Sequence, residues 1–213
     1  MRILLTGGGT AGHFNPLVAV AENLNDLARL RELTDINIKG TPVRSIDFMQ
    51  SMKNLRHLDL SNTHLTDVTA LKDLSELTDL RLAVVAIDDL SGISKLSGLI
   101  KLDISNTKIK ELGGLIPLKR LNGLSMRGVV AQDFSPLSKL LELRVLDLSH
   151  TNIEELKAVS GLTKLKELNL KGTPIKEVSP LTTLTQLQSL DLRMTSIKNV
   201  EALKKLPKLD IQK

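Results

Sequence analysis

The sequence predicts an α/β repeat solenoid: a right-handed coil with a parallel sheet on its concave side and short helical or 3-10 segments on its convex side. Three observations predict it. A pair of apolar residues around one intervening residue recurs every 22 residues, its first members at 36, 58, 80, 102, 124, 146, 168 and 190. A further Leu precedes each pair by three residues, at Leu33, Leu55, Leu77, Leu99, Leu121, Leu143, Leu165 and Leu187. The 213-residue chain is 41% hydrophobic but only 1% aromatic, with three Phe and no Trp or Tyr. One compact core of this size normally uses aromatics for their large buried area. A core of Leu, Ile and Val points instead to many equivalent thin layers.

The N-terminal segment, residues 1–30, stands outside the repeat. Arg2-Ile3-Leu4-Leu5-Thr6 reads as a strand and Gly7-Gly8-Gly9-Thr10-Ala11-Gly12-His13 as a loop. Asn15 is a good N-cap and Pro16 a good first helical residue. Leu17, Val20, Ala21, Leu24, Leu27 and Ala28 then fall on one helical face. A β-α unit here would cap the first layer of the coil, as solenoids require.

From residue 31 to 213 the chain reads as solenoid, about eight repeats and a short closing turn at Leu206, Leu209 and Ile211. Alternate residues of a strand face opposite sides. Each apolar pair, Leu58 with Leu60 for example, therefore enters the interior while Asp59 faces out. No repeat can bury its apolar side alone, so neighbours stack and share one core. Eight strands at about 4.8 Å would span about 38 Å. Five residues after six of the eight first strand positions stand Thr41, Thr63, Thr107, Thr151, Thr173 and Thr195. These six are expected to turn inward and hydrogen-bond backbone groups that would otherwise be buried unpaired. The following half-repeat, with Ile175, Val178, Leu181 and Leu184 and the prolines at 42, 136, 174 and 180, suits short convex turns rather than long helices.

Segments such as Leu146-Asp147-Leu148-Ser149-His150-Thr151-Asn152-Ile153 carry a family resemblance. Residues 27–213 resemble the 22-residue leucine-rich repeats of bacterial internalin-like proteins and related protozoan repeats, with Thr where Asn is usual. The resemblance implies protein–protein recognition. Residues 1–16 resemble a different family, the MurG glycosyltransferases. That likeness implies a glycine loop at a nucleotide-sugar cleft, and marks Gly7, Gly9, Gly12 and His13 as a possible anion-binding set in front of a helix. It covers only the beginning of the chain, and no region remains to supply the rest of a transferase. A cap, residual binding of UDP-N-acetylglucosamine and a natural or engineered chimaera are the readings this segment leaves open.

The function classes narrow accordingly. The net charge of +5 is spread among mixed charges, and the aromatic platforms of nucleic-acid binders are missing. No apolar run reaches the ~20 residues of a membrane span. With no cysteine there are no disulfide caps and no thiolate metal site. The chain is expected to be cytoplasmic, or a piece of a longer secreted parent. The four His, at 13, 57, 64 and 150, lack metal-ligand spacing, and no nucleophile–base pair stands out. Hence no enzyme, cofactor or metal is expected; the partner is a protein, met on the concave face. Oligomeric state is not legible.

The outward columns of that face are mixed in sign. Asp59, Asp103 and Asp147 lie between the strand Leu residues, and His57 lies between Asp35 and Asp79 of the adjacent strands, carboxylates that attract an imidazolium. Two repeats depart from pattern, with Val85 and Val129 in place of Thr. They add Arg81, Val84, Arg127 and Val130, and Arg193 with Met194 adds a further apolar edge near a cation. Arg and apolar anchors are favoured at interfaces. The candidate partner contacts are these six residues together with His57, Asp59, Asp103 and Asp147.

Overall fold

The computed structural model describes residues 2–4, 32–206 and 208–213. Ten three-residue strands form one sheet, paired in chain order and all parallel. They are β1 (Arg2–Leu4), β2 (Asp35–Asn37), β3 (His57–Asp59), β4 (Asp79–Arg81), β5 (Lys101–Asp103), β6 (Gly123–Ser125), β7 (Val145–Asp147), β8 (Glu167–Asn169), β9 (Ser189–Asp191) and β10 (Asp210–Gln212). The 22-residue period sets the register, so that Ile36, Leu58, Leu80 and Leu102 stand opposite one another, as do Leu124, Leu146, Leu168 and Leu190. The last turn is one residue short, and Ile211 meets Leu190. At the other edge, Ile3 of β1 meets Ile36. The expected helix, the glycine loop and its set Gly7, Gly9, Gly12 and His13 lie outside the described residues.

Every repeat sends the same apolar positions inward. In the seventh turn of the sheet they are Leu146, Leu148, Ile153, Leu156, Val159, Leu162 and Leu165, all buried. The convex side is closed by 3-10 turns at Asp47–Ser51, Thr69–Leu71, Gly113–Leu115, Ser135–Lys139, Leu156–Ala158, Ser179–Thr183 and Glu201–Lys205. Pro136 and Pro180 sit at the starts of two of them. There the missing N–H costs nothing, because the first turn has no partner for it. Phe48 and Phe134 are only partly buried beside this core.

The six threonines bond backbone groups, and they do so locally. Each hydroxyl donates within its own turn, to the carbonyl three residues back: Thr41 to Ile38, Thr63 to Leu60, Thr107 to Ile104, Thr151 to Leu148, Thr173 to Leu170 and Thr195 to Leu192, at 2.6–2.8 Å. In four of the six the same carbonyl also takes the threonine's own N–H. Val85 and Val129 keep that backbone bond, to Leu82 and Met126. In those four turns the hydroxyl is a second donor to a carbonyl already served, so a valine held by the same backbone bond leaves no orphaned group. Repeats are joined instead by backbone bonds that continue past the strands, Leu60 N–H to Arg81 and Asn62 N–H to Ala83 among them.

One position before each threonine column the chain turns left-handed. Gly40, Asn62, Val84, Asn106, Gly128, His150, Gly172 and Met194, one per repeat, all have φ between 54° and 73°. Glycine and asparagine suit this region. Val84 does not: a β-branched residue there is strained.

Candidate functional site

The strands are only three residues long, so each repeat offers the concave face two outward side chains and a third just beyond the strand end. In register, the first column runs Asp35, His57, Asp79, Lys101, Gly123, Val145, Glu167, Ser189. The middle column runs Asn37, Asp59, Arg81, Asp103, Ser125, Asp147, Asn169, Asp191. His57 Nδ1 lies 3.0 Å from Asp35 Oδ1. Arg81 stands between Asp59 and Asp103, with Nε 3.5 Å from Asp79 Oδ1.

The middle-column acids have a structural task that their spacing did not reveal. Asp59 Oδ1 accepts the N–H of Ser61 at 3.0 Å, Asp103 that of Ser105 at 2.9 Å and Asp147 that of Ser149 at 2.8 Å. Asn37, Asn169 and Asp191 do the same for Lys39, Lys171 and Arg193. Each side chain ends its strand by mimicking a turn, a role Asp and Asn fill because a short side-chain oxygen reaches two residues on. Arg81 and Ser125 lack that acceptor. The two irregular repeats are therefore irregular in the turn itself.

The three candidate arginines are not equivalent. Arg193 is held by Asp191, with Nη2–Oδ2 at 2.6 Å and Nε–Oδ1 at 3.0 Å. The bidentate bond raises the Arg193 pKa, and the donated hydrogen bond from Arg193 holds the Asp191 carboxyl below its usual range. Arg127 is exposed, and among the described residues its side chain makes no hydrogen bond or ion pair. Of the three arginines it has least to give up on meeting a partner.

The apolar candidates do not form one patch. Val84 (52% exposed) and Met194 (71%) share the left-handed column, five repeats apart. At about 4.8 Å per strand that is about 24 Å. Val130 (59%) lies past the turn, beside Lys108, Lys110 and Gln132 in a shallow depression. Val145, 42% exposed, is on the concave face proper. Sequence reading passed over it because its column is mostly polar. It also passed over the side-chain caps of the convex turns, Asp67 with Thr69, Asp89 with Ser91 and Asp133 with Ser135. The signal was there as Asp two residues before Ser or Thr. Among the described residues no His, Cys, Asp and Glu cluster is arranged to hold a metal, and no helix is long and apolar enough to cross a membrane.

Comparison with known proteins places this geometry. Two family profiles match, "Leucine Rich Repeat" over residues 54–75 and "Leucine Rich repeats (2 copies)" over 141–183. No curated protein matches by sequence. Among solved structures, the internalin InlF of Listeria monocytogenes superposes with a TM-score of 0.84 at 29% identity, over 88% of this chain and 56% of InlF. Internalin C2 of the same bacterium gives 0.83 at 26% identity, over 92% of this chain and 91% of its own. A plant peptide hormone receptor, RGFR1, solved in complex with RGF2, shares the fold at 0.70 and 17% identity, over 88% of this chain and 33% of the receptor. The chain thus spans little more than half of InlF and nearly all of internalin C2. The molecule has a leucine-rich-repeat solenoid fold like that of the internalins. Neither matching profile reaches residues 1–16, and the glycosyltransferase likeness of that stretch gains no support.

Proposed function

We propose that this chain is a non-catalytic scaffold that binds a protein partner on its concave face, centred on β4 to β7. The observation that carries the reading is Arg127: an exposed cation without a structural partner among the described residues, at the end of β6, whose neighbours β5 and β7 present Lys101, Asp103, Val145 and Asp147. Ionic groups already spent on the fold recognise little; an unspent one beside exposed apolar surface is what an interface core uses. The likeness in fold to a receptor solved with its hormone supports a protein ligand rather than a small molecule.

Arg81, Val84, Val130, Arg193 and Met194 are assigned secondary places, since they are tied up or lie away from that centre. Asp59, Asp103 and Asp147 support the surface and meet the partner through the oxygen not used in the turn. His57, with Asp35, marks its N-terminal margin.

The test is capture of the partner by the intact chain and by single variants. Arg127→Glu is expected to weaken capture at least tenfold with an unchanged melting curve. Equal loss from the convex substitutions Lys110→Glu or Glu154→Lys would overturn the concave assignment.

A further inference from the structure

The concave face carries a gap at Gly123 that the fold does not require. Seven repeats have a side chain in this column; the sixth strand has none. The backbone there is not left-handed, and a β-carbon would meet only Lys101 Cγ, at 3.6 Å, an ordinary contact. Glycine within a strand weakens it, and where packing does not explain it, it marks close approach by something else. The next outward residue of the same strand, Ser125, has the smallest side chain of its column and is hydrogen-bonded to Ser105 at 2.7 Å. β6 is therefore a notch one strand wide across the sheet. Lys101 and Asp103 form one wall, Val145 and Asp147 the other.

The charges around the notch are specific. Asp103, Ser125 and Asp147 are in register. One oxygen of each carboxylate holds its turn. Neither second oxygen has a hydrogen bond or ion pair among the described residues. The two strands that carry them are about 9.6 Å apart, two strand spacings, which leaves room for a planar cation above Ser125. Lys101 and Arg81, which line the same depression, oppose such a cation. Asp79, in register with Lys101 and 3.5 Å from Arg81, joins Asp103 and Asp147, so the lining carboxylates outnumber the lining cations three to two. Val145 supplies apolar surface for an alkyl stem.

We propose that this notch takes one basic side chain, arginine or lysine, of the partner protein. Its stem lies over Gly123 between Val145 and the stem of Lys101, and its charge lies between Asp103 and Asp147. The inference rests on the concave-face reading above and adds the chemistry of one anchor.

The probe is a displayed library of random dodecapeptides, selected on the intact chain. Peptides that bind are expected to contain Arg or Lys, to lose at least tenfold in affinity when that residue becomes norleucine, and to lose as much on Gly123→Val or on Asp103→Asn with Asp147→Asn. Asn37 and Asn169 make the same turn as the acids, and the space at Gly123 admits a side chain, so these variants fold. Their melting curves verify it. No enrichment, or binding unchanged by Gly123→Val, overturns the notch. If Arg127→Glu still abolishes such binding, the concave-face reading survives without the notch. If no concave substitution alters it, both fall.

Discussion

Asp147 Oδ1 accepts the backbone N–H of Ser149 at 2.8 Å, and this one bond closes the seventh strand. Asp103 closes the fifth in the same way onto Ser105, while the strand between them ends on Ser125, which has no carboxylate to offer. Removing the acceptor, as in Asp147→Ala, is expected to cost about 1 kcal/mol, the size of a lost cap. Supplying it where it is missing, as in Arg81→Asn, should gain about 0.5–1 kcal/mol. Urea unfolding of the two variants checks both signs.

The left-handed column gives a second pair of opposite effects. Val84 has φ of 59°, a conformation that strains a β-branched residue by about 1–3 kcal/mol. Val84→Asn and Val84→Gly should therefore each raise the melting temperature. The repeats at Asn62, Asn106 and Gly128 already use these residues. Gly172→Ala should do the reverse, since a β-carbon there would stand 2.7 Å from His150 Nδ1.

Convex glycines separate by contact. A β-carbon at Gly92 would collide with the backbone of Val68, and one at Gly114 would come to 2.5 Å from Leu90 Cβ. Each Gly→Ala substitution is expected to destabilise by about 1–3 kcal/mol through overpacking. At Gly113 and Gly161 nothing lies within 4 Å, and the same change should be neutral or slightly stabilising.

Acid should weaken the fold through three carboxylates. The backbone N–H and then the hydroxyl of Thr69 lower Asp67 from its ordinary 3.8, the hydroxyl and N–H of Ser135 lower Asp133, and Arg193 lowers Asp191. Each folded pKa lies below the unfolded one, so the unfolded chain binds more protons between them and stability rises with pH there. The contribution is complete above about pH 5 and is lost as pH falls through the folded values. Urea midpoints at pH 6 and pH 2.5 should differ less in Asp67→Asn, which keeps an acceptor but does not titrate.

The period, the strand register and the inward columns were legible because a 22-residue repeat fixes them several times over. Any misreading at Leu58 would have failed at Leu80 and Leu102. The turn chemistry was less so. Asp59, Asp103 and Asp147 look like outward charges in a pattern of periods, and only the backbone trace shows each carboxylate reaching the N–H two residues on. The inward Thr column was visible, but the partners of its hydroxyls were not, because a sequence does not say whether a carbonyl already has a donor. Gly123 was legible as a letter in a polar column. That its glycine answers no steric need is a property of the space around it.

Recognition on the concave face can be tested by covering that face. The chain has no cysteine, so single cysteines can be placed and blocked with a bulky maleimide. The measurement is the affinity of the captured partner for Ser125→Cys and for Lys157→Cys on a convex turn, each with and without a coupled polyethylene glycol. Binding on the concave face predicts at least a hundredfold loss on blocking position 125 and less than a twofold change on blocking position 157. Undiminished affinity with position 125 blocked would contradict it.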